Sequence, residues 1–177
     1  MPKIILNLRE NILKESKNIL KTESYEKLTV RRVAAKCGVA VGTVYNYFPS
    51  KEMLTAGVML EDWNRSLERM KASSELAASP MEGLEQIYAA LQDYISEYSE
   101  TWDQYRAHGV DRAQSPYRHH VLVEQIGRVI KGLLQRFDDV FYDGLPVFLA
   151  ENLLIQASNK EKDLSSVRPI FEKIMKN

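Results

Sequence analysis

The sequence predicts an all-α protein on three observations. Apolar residues recur at helical spacing along most of its 177 residues. Glycine and proline are few, eight and six in number, and alternating β-branched stretches of the kind strands need are rare. Helix start and stop residues fall at the ends of the periodic segments. The expected organisation is an N-terminal three-helix unit over residues 1–48 and a second helical domain over residues 49–177.

The first helix runs from about Asn7 to Thr22, with Leu8, Ile12, Ile19 and Leu20 on one face and Arg9, Lys14, Lys17 and Lys21 opposite. Leu28 to Lys51 then reads as two short helices, a tight turn and the start of a fourth helix. Thr29 can cap the second helix, and Gly38 ends it where a left-handed residue avoids a Cβ clash. Ala40 to Tyr47 resumes as the third helix, and Pro49 stops it. Two helices joined by a short glycine-containing turn are the pattern of a DNA-reading helix-turn-helix, in which the second helix reads. A unit of about 48 residues is marginal alone and needs the next helix to complete its core.

That helix is expected from Ser50 to about Ala72, with Met53, Gly57, Leu60 and Leu67 as one stripe, widened by Leu54, Val58 and Trp63. Ser73–Ser79 reads as a loop. Ser79, Pro80 and Glu82 form a capping box for a fifth helix, which is expected to end or bend near Ser99, with a short helix over Thr101 to about Ala107. Gly109–Pro116 reads as irregular. A long helix from Tyr117 to Tyr142 turns Leu122, Ile126, Ile130, Leu133, Phe137 and Phe141 inward. Asp143-Gly144 is a turn, Pro146 opens a helix to Ser158, and Ser165 or Ser166 caps the last one.

Composition narrows the classes of function. Hydrophobic residues make up 45% and charged residues 27%, as in an ordinary soluble domain. No apolar run approaches the ~20 residues of a membrane span, and the N-terminus lacks a signal-peptide core. The single cysteine, Cys37, allows no internal disulfide and suits a reducing cytoplasm. The net charge of zero conceals a division: residues 1–52 carry ten basic and five acidic side chains. A basic head on an acidic remainder suits one end that meets a polyanion.

At Thr29–Leu54 the chain resembles the TetR (tetracycline repressor) family of bacterial transcriptional regulators. Thr29, Val30, Ala34, Gly38, Val39, Gly42, Thr43, Val44, Tyr45, Tyr47, Phe48, Ser50, Lys51, Glu52 and Leu54 stand where the family pattern needs them. Val33, Cys37, Ala40 and Tyr25 depart from it mildly. The resemblance implies Val41, Gly42 and Asn46 facing the major groove. It also implies Thr29, Arg31, Thr43, Tyr45, Tyr47 and Lys51 at phosphates, with Thr29 or Arg31 also able to reach an outer base. Asn46 can read adenine through two hydrogen bonds, and Val41 can touch a thymine methyl. Phe48 has no polar handle and reads as packing, a role also open to Tyr45 and Tyr47.

The resemblance further implies a C-terminal helical domain that binds a small effector and dimerises through the last two helices. Trp63, Tyr98, Trp102 and Phe137 are the expected wall of an apolar or aromatic effector site. The stripes Phe148–Leu154 and Val167–Ile174 are the expected dimer contacts. The reading is therefore a repressor on a palindromic double-stranded operator. The alternative is an effector-independent architectural or cell-cycle factor on the same fold. No enzyme activity, cofactor or metal is expected. His108, His119 and His120 lack partners at ligand spacing, Asp138, Asp139 and Glu151 read as a solvated face, and no catalytic constellation is visible.

Overall fold

A computed structural model describes residues 7–107, 115–137, 142–159 and 163–175. They form α1 (Leu8–Thr22), α2 (Val30–Cys37), α3 (Val41–Tyr47), α4 (Lys51–Leu76), α5 (Pro80–Ala107), α6 (Ser115–Gln135), α7 (Leu145–Ser158), one 3-10 turn (Leu164–Ser166) and α8 (Arg168–Ile174). The described residues are all-helical, as the sequence predicts. None of these helices is long and apolar enough to cross a membrane.

The chain divides into two compact units. The first holds residues 1–62 and 99–111, so it reaches past Phe48 into α4. The reason is local packing. A Cβ on Gly57 would stand 2.8 Å from the Phe48 ring and 3.2 Å from Leu13, so α4 lies close against both. Ile12, Leu13, Ile19, Leu28, Val33, Val44 and Leu54 fill this core, each 2% exposed or less. Ser16 is buried among them, its hydroxyl donating to the Ile12 carbonyl at 2.7 Å. Lys17 of α1 forms an ion pair with the buried Asp62 of α4.

The second unit holds residues 63–98 and 112–177. Its core joins Met70, Leu84, Ile87, Leu91, Ile126, Ile130, Leu133, Leu149, Leu153 and Phe171. α6 packs against α7. Gly83 admits Leu133, whose side chain would lie 2.5 Å from a Cβ there. Ser79 caps α5 by accepting from the Glu82 N–H at 3.2 Å, and Glu82 reaches back to the Ala78 N–H at 2.8 Å.

Several expectations need correcting. α4 continues through Ser73–Leu76. The hydroxyls of Ser73 and Ser74 donate to the carbonyls of Met70 and Lys71, so these serines bond within the helix rather than breaking it. Arg136 donates to the carbonyls of Ser74 and Ala77 at the end of that helix, supplying partners that a helix C-terminus otherwise lacks. The expected α4 stripe is displaced in part: Met53 and Leu60 are each 56% exposed, whereas Leu54, Val58 and Trp63 are buried as expected, with Met59, Ser66 and Met70 beside them. α5 is one helix rather than two, because nothing stronger than serine interrupts it between Leu84 and Ala107. α6 starts at Ser115 and ends at Gln135, with Phe137 exposed in the turn beyond it. Phe141 lies outside the described residues. The 3-10 turn is capped by Asp163, whose carboxylate accepts from the Ser165 N–H, and α8 follows Val167 without a side-chain cap.

Candidate functional site

The first unit builds a short helix onto a firm support. Thr29 has extended backbone angles, and its hydroxyl accepts from the Arg32 N–H at 3.2 Å. Gly38 closes α2 at φ 67 and ψ 34. The N–H of Val39 donates to Ala34 at 3.0 Å and that of Gly38 to Ala35 at 3.2 Å. This paired closure requires a left-handed residue at Gly38. No atom stands within 4 Å of a Cβ there, so backbone conformation and not space calls for glycine.

α3 follows with little of its surface claimed by the fold. Val44 is its buried residue. Val41 and Thr43 are half-buried, and Gly42, Tyr45, Asn46 and Tyr47 are exposed. A Cβ on Gly42 would likewise meet nothing within 4 Å. Phe48 is 5% exposed, whereas Tyr45 and Tyr47 are 48% and 45% exposed. The aromatic box is therefore divided: Phe48 packs and both tyrosines face outward. Ala40 precedes α3 and supplies no side-chain cap.

The expected cationic and hydroxyl residues surround this helix in sequence. Arg31 is exposed, while Arg32 is tied to Glu23 through two hydrogen bonds of 2.7 and 2.5 Å. Of the adjacent arginines, only Arg32 has a fork–fork partner of this kind. The Thr29 hydroxyl accepts as a cap and keeps its proton to donate. Ser50 caps α4 by accepting from the Met53 N–H at 3.1 Å, which puts Lys51 in the first turn of that helix. The Lys51 ammonium lies 3.9 Å from the centre of the Tyr25 ring. Arg9 stands 5.6 Å over Phe48. Sequence reasoning placed Arg9 on the basic side of α1 without assigning it a role. Tyr25 entered only as a departure from a pattern, and nothing in the local spacing signals its contact with Lys51.

Cys37 is buried. Burial pushes its thiol pKa up, and the nearby Glu15 adds to the shift. Both effects disfavour the reactive thiolate.

In the second unit, Trp63 is 3% and Tyr98 2% exposed. Tyr94 joins them, its ring 5.1 Å from Trp63 and 5.3 Å from Tyr98. The Trp63 indole donates to Gln125 at 2.7 Å. Trp63 and Tyr98 thus come together through Tyr94, which the predicted wall omitted. Phe137 does not join them: it is 40% exposed, with the Arg136 guanidinium 5.0 Å from its ring. Trp102 is half-buried and belongs to the other compact unit. His119 and Glu151 form a 2.8 Å pair between α6 and α7, so Glu151 is more than solvated surface. Among the described residues no three His, Cys, Asp or Glu side chains are grouped to hold a metal. His108, Asp138 and Asp139 lie outside them.

Residues 12–58 match the family described as bacterial regulatory proteins, tetR family. The chain is 25% identical over 96 residues to the HTH-type transcriptional regulator UidR of Escherichia coli K12, covering 54% of this chain and 45% of that protein. It is 34% identical over 76 residues to the HTH-type transcriptional repressor KstR of Mycobacterium tuberculosis, covering 43% of this chain and 34% of that one. The chain thus spans half or less of the length of these relatives. A TetR transcriptional regulator from Legionella pneumophila superposes with a TM-score of 0.57 at 16% identity, covering 98% of this chain and 96% of its own. At that identity the likeness is one of fold.

Proposed function

We propose that the chain, whose residues 12–58 match the tetR family of bacterial regulatory proteins, is a regulator of that family and controls transcription by binding double-stranded operator DNA through α3. The observation that carries this reading is the outward display of α3. Val44 anchors the helix, and Gly42, Tyr45, Asn46 and Tyr47 face solvent. The open space around Gly42 gives its missing side chain no internal reason, and backbone approach to DNA supplies one. Val41 and Asn46 meet base edges; Thr29, Arg31, Thr43, Tyr45, Tyr47 and Lys51 meet phosphates and fix the register.

Repression from a palindromic operator by two copies completes the reading. The second copy docks through the C-terminal helices. Leu149, Leu153, Leu154 and Phe171 are buried within the chain's own core, so the contact falls to Val147, Phe148, Ile155 and Ile170, which are 46–53% exposed. A small apolar or aromatic effector at Trp63 and Tyr98 releases the DNA, and by linkage DNA weakens effector binding equally. The effector-independent factor is the second reading. It is favoured by the Trp63 indole, which Gln125 already satisfies.

The test is fluorescence anisotropy on genomic DNA flanking the gene, titrated with salt. Lys51→Ala is expected to weaken binding to every sequence and lower the salt slope by about one. Asn46→Ala is expected to relax preference at one base pair by about 1–3 kcal/mol. Equal, sequence-blind effects from both would remove Asn46 as a base reader, and no preference for any genomic site would overturn the regulator.

A further inference from the structure

We propose that Tyr25 is a positioning residue for DNA binding: its ring holds the Lys51 ammonium in place as a phosphate contact before DNA arrives. The inference rests on the assignment of Lys51 to phosphate above.

The geometry has three parts. Tyr25 lies in the connection between α1 and α2, 2% exposed, with its carbonyl accepting from the Leu28 N–H at 3.1 Å. It is a fixed platform. Lys51 is anchored at the other end by the start of α4, where Ser50 caps the helix and the Thr55 hydroxyl donates to the Lys51 carbonyl at 2.9 Å. The stem then places Nζ 3.9 Å from the ring centre, well inside the range of a cation–π contact.

A lysine stem normally loses rotamer freedom when it grips a phosphate. One already laid against a rigid ring has less to lose, and the saving appears as affinity. The ring also takes water from the ammonium in advance. Burial lowers the Lys51 pKa, while the charges of Glu52 and Glu26 pull it the other way. A ring covers one side of the cation only, so the other side can meet an oxygen. The preference is for polyanion and not for sequence, because no base edge is involved.

Three variants and one double variant test this. Tyr25→Phe keeps the π face, Tyr25→Leu keeps apolar bulk without it, and Lys51→Gln removes the cation. In the free protein, the Lys51 ε-methylene proton signals are expected upfield in wild type and Tyr25→Phe, and at the ordinary lysine position in Tyr25→Leu. Tyr25→Leu is expected to weaken binding to all DNA by about two- to five-fold, the size of an exposed cation–π contact, and Tyr25→Phe to bind as wild type. In the Lys51→Gln background Tyr25→Leu is expected to cost nothing more. If it costs the same there, Tyr25 acts through general folding and the positioning role is overturned while Lys51 stands. Unweakened or tighter binding by Tyr25→Leu overturns it too. If Lys51→Gln binds DNA as wild type does, the phosphate assignment falls, and this inference with it.

Discussion

α2 and α3 are consecutive helices of eight and seven residues, and they are made in opposite ways. α2 is capped at both ends, by Thr29 and by Gly38, and buries Val30, Val33, Ala34 and Cys37. α3 has no side-chain cap at its start and buries Val44. A seven-residue helix with one buried anchor cannot hold itself in water. It is held by the turn before it, by Val44, and by Phe48 packed beneath α4. The difference teaches where stability and display are separated: α2 is support, and Gly42, Tyr45, Asn46 and Tyr47 of α3 are left exposed.

Three comparisons would break or sharpen that division. The largest effect is expected from Val33→Ala in α2. Val33 is fully buried, and losing two methyl groups plus the void they leave should cost about 2 kcal/mol in denaturant unfolding. Tyr47→Ala in α3 should leave stability within about 0.5 kcal/mol and weaken DNA binding. If both destabilise alike, α3 is part of the core and the division fails.

The two turn-region glycines make the next comparison. Gly38→Ala forces a side chain into the left-handed region and should cost about 1 kcal/mol, read as a lower unfolding midpoint. Gly42→Ala has open space and helical backbone, so it should leave stability unchanged or raise it by up to about 1 kcal/mol. Its DNA affinity should nonetheless fall. A Gly42→Ala protein that binds DNA as tightly as wild type would show that backbone approach at this residue is not used.

The smallest effect concerns the missing cap. Ala40→Ser adds a hydroxyl able to accept from the first turn of α3 and should stabilise the protein by about 0.5–1 kcal/mol. No change in thermal midpoint would mean that the first turn of α3 is already supported through the turn.

Much of this was legible in advance. Phe48 could be read as packing because its ring has no polar handle. Thr29 as cap, Gly38 as closure and the Ser79–Glu82 box each depend on residues within five positions of one another, so their chemistry is local. The α4 and α5 boundaries were misread for the same reason. Ser73 and Ser74 resemble loop residues until Arg136, far along the chain, is found at the carbonyls of Ser74 and Ala77. At Met53 and Leu60 the α4 stripe was misplaced, because a helix that supplies residues to both units is buried along more than one line.

By itself the sequence determined the helical class, the turn geometry between α2 and α3 and the basic bias of the first third of the chain. These follow from backbone sterics, capping and composition, which act over a few residues. Tertiary structure decided which side chains the motif leaves exposed. It divided Tyr45 and Tyr47 from Phe48, joined Trp63 to Tyr94 and Gln125 while leaving Phe137 aside, and set Lys51 on the ring of Tyr25. Burial and ring contacts depend on residues distant in the chain meeting in space, and no local periodicity carries that information.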